Sequence, residues 1–285
     1  MQIPGFDLDD FVKRALAEDL GLGGDVTSAA TIPEQAKFTA EMNVREPITV
    51  AGLDIAAAFF RTLDPNVLID TLTSDGQQVP AGTVLMRLDG NARAMLTAER
   101  SALNTLQHLS GIATLARKYA DAVAGTGAVV LDTRKTIPGL RALDKYAARM
   151  GGAQNHRLRL DDGVLIKDNH VAVCGGVAEA VRAAKAANTG LQVEVEFDRI
   201  AQIEPALVAG ADRLLLDNMN LATLREAVAL VAGRVPLEAS GGVNLDTIRG
   251  IAETGVDFIS VGRITQSAPA VDIGLDYSLA VTNPD

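Results

Sequence analysis

Short apolar runs alternate with stretches of helical periodicity through the second half of the chain. The runs lie at 128–131, 164–166, 193–197, 214–216, 237–239 and 258–261, and the segments between them are long enough for crossover helices. That order predicts parallel strands joined by helices. Six strands are clear and a seventh candidate lies at 150–156, which falls short of the eight of a complete barrel. The expected fold is α/β, with an incomplete, six- to seven-stranded β/α barrel as its larger part. No fixed-period repeat or low-complexity tract interrupts the pattern.

Upstream the pattern changes. Residues 38–50 read as extended, 55–63 as a short apolar helix, and 67–73 and 84–88 as strands, with turns at Asp75-Gly76 and Ala81-Gly82. Together they predict an α+β sandwich. The turn-rich segment 75–82 has the look of a lipoyl or biotinyl carrier turn, but no lysine lies between Lys37 and Lys118 to carry an arm, so that reading is rejected. From Asn91 to about Ala124 apolar residues recur at three and four, among them Met95, Ala102, Leu103, Leu106 and Leu109, as a core-facing helix requires. A break or bend is expected at Ser110-Gly111. Residues 1–112 are assigned to the sandwich domain with its long helix and residues 113–285 to the barrel, with the C-terminal tail packing back on the N-terminal domain.

Composition narrows the class. The chain has 285 residues, 48% of them hydrophobic, and a formal net charge of −10. Its start lacks both a basic n-region and an apolar h-region, and no apolar run approaches the roughly 20 residues that span a bilayer, so a cytoplasmic location is expected. Cys174 is the lone cysteine, which excludes an intrachain disulfide and a thiolate-rich metal site and is read as a buried structural thiol. Against the acidic background, the window from Val130 to His170 holds eight Lys/Arg and five Asp/Glu. Nucleic acid and anionic lipid are poor partners for so acidic a chain, so this local positive charge points to a small, multiply charged metabolite.

The ends of the apolar runs carry the chemistry. Each stops at a polar residue or glycine: Asp132, Lys167, Asp198, Asp217, Ser240 and Gly262. In a β/α barrel these ends form one rim, where active sites sit. Glu194 and Glu196 alternate with Val193, Val195 and Phe197, so both carboxylates face the barrel interior and need a counter-charge from the basic cluster or from Mg²⁺. Glu194 reads as a structural partner deep in the barrel and Glu196 as the functional acid. Asp217 has two readings: a ligand for metal or sugar, or an N-cap for the next helix. Ser240-Gly241-Gly242 and Gly262 follow late strands, where glycine lets backbone N–H groups approach a phosphate and a helix start adds positive charge. His108 on the long helix reads as a packing residue. No HExxH or His-x-x-x-His spacing supports zinc, no Gly-x-Ser-x-Gly elbow supports a serine hydrolase, and the type I phosphoribosyltransferase signature is missing.

These clusters, in order, resemble the quinolinate phosphoribosyltransferase (decarboxylating) family. The likeness runs from Gly24-Asp25-Val26-Thr27 through Glu99-Arg100, His108-Leu109-Ser110-Gly111 and Asp132-Thr133-Arg134-Lys135-Thr136 to Asn155-His156-Arg157 and Lys167-Asp168-Asn169-His170. It continues with Glu194-Val195-Glu196, Leu216-Asp217-Asn218, Ser240-Gly241-Gly242 and Val261-Gly262. The resemblance implies an N-terminal sandwich joined to an incomplete barrel. It implies a pentosyltransferase reaction: quinolinate and phosphoribosyl pyrophosphate give nicotinate mononucleotide, pyrophosphate and CO₂ in NAD biosynthesis.

By the same resemblance, Thr133, Arg134, Lys135, His156, Arg157 and Lys167 hold quinolinate, and Arg100 is donated by a neighbouring subunit of a homodimer or higher homo-oligomer. Glu196 and Asp217 face the ribose and Mg²⁺-bound pyrophosphate, and Ser240, Gly241, Gly242 and Gly262 bind the 5′-phosphate. Lys135, Lys167, Glu196 and Asp217 are the candidate catalytic residues. Mg²⁺ is the expected cofactor, held mainly through the donor and water, with no organic cofactor, nucleic acid or membrane partner. Arg263 departs from the small or apolar residue common after this Val-Gly and is carried as a candidate phosphate contact, although an outward direction is the favoured reading. A pyrophosphorylase-like protein of molybdate operons and a non-catalytic phosphate-metabolite binder are the alternatives on this fold; the retained cation and acid sets argue against both.

Overall fold

A computed structural model describes residues 3–278. The chain divides into two compact units. One comprises residues 1–115, 142–151 and 268–285, and the other residues 116–141 and 152–267.

The first unit begins with helices α1 (Leu8–Leu20) and α2 (Val26–Thr31), neither of which stood out in the sequence. Both are capped by aspartate: Asp7 accepts from the Asp10 N–H at 3.0 Å and Asp25 from the Ser28 N–H at 2.9 Å. Then come β1 (Lys37–Val44), β2 (Ile48–Thr49), α3 (Leu53–Leu63), β3 (Leu68–Thr71), β4 (Gln78–Val79) and β5 (Val84–Asn91). β1 alternates as period two requires, with Phe38, Ala40, Met42 and Val44 buried. It pairs antiparallel with β5, the register shifting between Met42 and Asn43. A sheet in the order β12-β1-β5-β3 results, its outer strand β12 (Ile273–Ser278) returning from the far end of the chain.

Helix α4 (Ala92–Ala122) buries Met95, Ala98, Ala102, Leu106 and Leu109 along one face. It runs through Ser110-Gly111 without the expected break. Gly111 answers a packing need: a Cβ there would lie 2.2 Å from the Pro269 carbonyl oxygen. His108 is the packing residue expected, its Nε2 lying 2.8 Å from Asp144 Oδ1. Asp144 sits on α5 (Arg141–Met150), which the sequence reading assigned to the barrel but which groups, from residue 142, with the first unit.

In the second unit, β6 (Val129–Leu131), β7 (Val164–Ile166), β8 (Val193–Phe197), β9 (Arg213–Asp217), β10 (Leu237–Ser240) and β11 (Phe258–Ser260) form a parallel sheet in the order β6-β11-β10-β9-β8-β7. Between these strands run α6 (Asp168–Cys174), α7 (Val177–Ala186), α8 (Ile203–Val208), α9 (Leu221–Val231) and α10 (Ile248–Ala252), with α11 (Arg263–Gln266) after the last. Val195, Leu214, Leu216, Ile259 and Val261 are fully buried in its core. The barrel is open. The seventh strand expected at 150–156 is a single parallel bridge, Leu131 to Gln154, because α5 takes up its first residue and Asp132 captures the segment that follows. Cys174 is exposed, not buried, since α6 presents no buried residue.

Candidate active site

A cavity of about 750 Å³ opens at the strand C-termini of the second unit. Thirteen sequence candidates, from Thr133 to Arg263, all line it: the 133–135 turn, His156, Arg157, Lys167, Glu196, Asp217, the 240–242 turn, Gly262 and Arg263. Arg100 is exposed on α4, in the first unit.

The cationic side is assembled by a buried acid. Asp132, wholly buried at the end of β6, accepts from the His156 N–H at 2.9 Å and from Asn155 Nδ2 at 2.5 Å. This fastens the 155–157 segment to the rim. Arg157 Nη1 donates to the Gly163 carbonyl at 2.9 Å, and the Nε of Arg134 is buried without a hydrogen-bond partner among the described residues. The Arg157 guanidinium is held below its ordinary pKa by burial first and by the charge of Arg134 second. Two cations are therefore confined together, with donor capacity left over. An unpaired buried donor costs about 1–3 kcal/mol, and a carboxylate between the two would remove that cost.

His156 has a more structural position than the sequence reading gave it. Its Nδ1 accepts from the Arg157 N–H at 2.7 Å, leaving the proton on Nε2, which points 3.1 Å from Glu194 Oε2. Glu194 and Glu238 form a buried cluster with Arg213, whose Nη2 lies 2.6 Å from Glu238 Oε2 and whose Nε lies 3.3 Å from Glu194 Oε1. Burial pushes Glu194 up, but His156 and Arg213 outweigh it and leave it below its ordinary pKa. Glu238 is pushed up to about 7 by burial and by the charge of Glu194. His156, Glu194 and Glu238 are spaced closely enough to hold a metal ion, but the Arg213 guanidinium already supplies the positive charge there.

On the opposite side, Lys167 and Glu196 form an ion pair, and Asp217 Oδ2 accepts from Asn218 Nδ2 at 2.6 Å. Asp217 is not the cap of the following helix; Asn220 caps α9, accepting from the Ala222 and Thr223 N–H groups at 3.0 Å. Two half-buried carboxylates at the rim suit a hard divalent cation. With Lys167 beside Glu196, Asp217 is the freer ligand, and a ligand's own oxygens and water would have to complete the coordination.

The late glycines work through backbone approach. Gly241 (φ 92°) and Gly242 (φ 61°) hold left-handed conformations, and a Cβ on Gly241 would lie 2.2 Å from Asn218 Oδ1. Helix-start charge contributes less than expected, since α11 has four residues and α10, of five, begins only at Ile248. Arg263 is among the residues lining the cavity. Glu238, Ser260, Asn218 and Asn244 are cavity residues that the reading of roles missed. The available signal for Glu238 was an acid inside an otherwise apolar strand, Leu237 to Ala239.

Among the described residues no helix is long and apolar enough to cross a membrane. Residues 25–110 match the N-terminal domain, and residues 112–276 the C-terminal domain, of the family described as quinolinate phosphoribosyl transferase. The chain is 45% identical over 275 residues to a nicotinate-nucleotide pyrophosphorylase (carboxylating) of Mycobacterium leprae, covering 94% of this chain and 96% of that one. It is 40% identical to the chloroplastic protein of that name from Arabidopsis thaliana, covering 98% and 85%. The solved nicotinate-nucleotide pyrophosphorylase from Francisella tularensis superposes with a TM-score of 0.92 at 42% identity, covering 98% of this chain and 99% of that one. An open parallel barrel with this rim and a matching N-terminal sandwich leave one assignment: the chain belongs to the quinolinate phosphoribosyl transferase family.

Proposed function

We propose that this protein transfers the phosphoribosyl group of phosphoribosyl pyrophosphate to quinolinate, with decarboxylation, forming nicotinate mononucleotide, pyrophosphate and CO₂ in NAD biosynthesis. The observation that carries this reading is the confinement of Arg134 and Arg157 together, with the buried Arg134 Nε unpartnered. Quinolinate brings two carboxylates, and guanidinium groups suit their planar geometry. Thr133, Lys135 and Lys167 complete this subsite, and His156 backs it by fixing the 155–157 segment.

The ring nitrogen attacks the anomeric carbon as pyrophosphate departs, so positive charge develops on the sugar. Glu196 and Asp217 stabilise that charge, and alignment of the two substrates supplies much of the acceleration. Ser240, Gly241, Gly242, Gly262 and Arg263 hold the 5′-phosphate. Asp217, and in part Glu196, would hold Mg²⁺, which would supply positive charge against the pyrophosphate. Once the ring nitrogen is quaternised, the electron pair released by the departing CO₂ is stabilised beside it and then takes a proton. Lys135 and Lys167 assist by charge.

The working unit is a homodimer or larger homo-oligomer in which Arg100 reaches the neighbouring barrel, as the family resemblance implies. A single exposed thiol in an acidic chain fits the reducing cytoplasm. Purified protein given quinolinate, phosphoribosyl pyrophosphate and Mg²⁺ should release pyrophosphate and CO₂ in equal amounts. Nicotinate should be used at least about tenfold less well, because it leaves charged donors unpaired. No turnover of quinolinate, or comparable turnover of nicotinate, would overturn the proposal.

A further inference from the structure

Departure of CO₂ leaves a carbon that must be protonated, and the cavity wall holds one acid shielded from solvent. Glu238 is wholly buried and Ser260 nearly so, yet both line the cavity. They are neighbours on adjacent strands: Glu238 pairs with Phe258 in the β10–β11 register, and the Ser260 hydroxyl is in close hydrogen-bond contact with Glu238 Oε1. The other oxygen, Oε2, faces inward to Arg213 Nη2 at 2.6 Å and His156 Nε2 at 3.6 Å. The charged groups facing Glu238 are therefore Glu194 from β8, Arg213 from β9 and His156 from the loop after α5, with Ser260 from β11.

This arrangement differs from a static ion pair in its charge balance. Two carboxylates, Glu194 and Glu238, share one guanidinium. Glu194 has the better set of partners and keeps its charge, and Glu238, more deeply buried beside that charge, holds a proton near neutrality. When Glu238 loses its proton, the new carboxylate already has the Arg213 guanidinium at Oε2, while the His156 N–H stays directed at Glu194. The proton leaves from Oε1, on the side of Ser260 and the cavity.

We propose that Glu238, acting through the Ser260 hydroxyl, is the proton donor to the ring carbon vacated by CO₂. This rests on the reaction proposed above. The carbon–carboxylate bond breaks reversibly and leaves its electron pair on the ring carbon, so net CO₂ release waits on protonation of that pair. Ser260 Oγ–H gives its proton to that pair and Oγ takes the proton of Glu238 Oε1, so a carbon–hydrogen bond forms and Glu238 ends as a carboxylate. A proton from water restores the acid after product leaves. Lys135 and Lys167 are less suited to this step, since Lys167 is committed to Glu196 and both side chains are open to solvent.

Single-turnover reactions that follow pyrophosphate and CO₂ release separately distinguish the two chemical steps. In wild type both products should appear, and CO₂ release should slow as pH rises through about 7, where Glu238 loses its proton. In Glu238→Gln, pyrophosphate release should persist while CO₂ release slows by about a hundredfold, the usual scale of a lost general acid, and loses that pH dependence. Phosphoribosylated quinolinate should accumulate. Ser260→Ala, which keeps the Arg213 cluster, should give the same split and carries the test alone if the Gln variant does not fold. Equal slowing of both steps, or wild-type CO₂ release in Ser260→Ala, would overturn the relay. Failure of wild type to release either product would overturn the underlying reaction instead.

Discussion

Lys135 crosses the cavity wall directly over Gly262: a Cβ on that glycine would lie 2.9 Å from Lys135 Cδ and 3.5 Å from its Nζ. Gly262 has φ −63°, so its backbone alone would accept any residue. The requirement is for space under the lysine. A second link, from the Thr265 hydroxyl to the Lys135 carbonyl at 2.8 Å, fixes the two segments together.

Gly262→Ala should therefore displace a flexible side chain without disturbing the core. Stability should change by less than about 1 kcal/mol, while turnover falls about tenfold or more because Lys135 is moved from its anion. Thermal melting and steady-state kinetics check the two halves. A large loss of stability with activity per folded molecule preserved would contradict the relationship.

Glu196→Gln and Asp217→Asn should act on the phosphoribosyl side. Both should slow turnover and weaken Mg²⁺-dependent binding of phosphoribosyl pyrophosphate, with quinolinate affinity much less affected. The Glu196 change also frees Lys167 from its ion pair, so it can alter quinolinate binding somewhat more than the Asp217 change. Calorimetry with each substrate measures this. Selective collapse of quinolinate binding in both variants would exchange the assigned roles.

Arg100→Ala and Lys135→Ala proteins should each be nearly inactive but folded, because neither change removes core volume. If sites are shared across a two-fold dimer, subunit exchange between them makes about half the molecules hybrids, each with one intact site, and activity should recover to roughly a quarter of wild type. Native mass spectrometry establishes that hybrids have formed. Hybrids without activity would remove Arg100 from the neighbouring site.

Gly111→Ala tests packing within the first unit. Its Cβ would meet the Pro269 backbone at 2.2 Å, so the chain between α4 and β12 must shift. A destabilisation of about 1–3 kcal/mol is expected, read as a lower melting temperature with little change in activity per folded molecule. An unchanged melting temperature would show that the segment yields freely.

Local periodicity made much of the architecture legible. Strand positions 164–166 and 193–197 were evident because buried parallel strands read as continuous apolar runs, and the interior direction of Glu194 and Glu196 follows from a repeat of two. The placement of residues at strand ends put Lys167, Asp217 and Ser240 on one rim. Periodicity could not show that the 150–156 segment makes one bridge instead of a strand, or that Gly111 serves Pro269, because both depend on what another segment presents there.

The amino-acid order by itself determined the open barrel, the N-terminal sandwich and the local excess of cations among acidic surroundings, since each is written in neighbouring residues. Tertiary structure alone decided which charges meet. Arg213 and Glu238 stand 25 positions apart in sequence but 2.6 Å apart at their charged atoms; Glu238 lies inside the apolar run 237–239, and Arg213 just before the run 214–216. Their pairing, the tautomer of His156 and the proton held on Glu238 arise from strand register and desolvation. Those are set by the whole sheet and leave no local pattern in the chain.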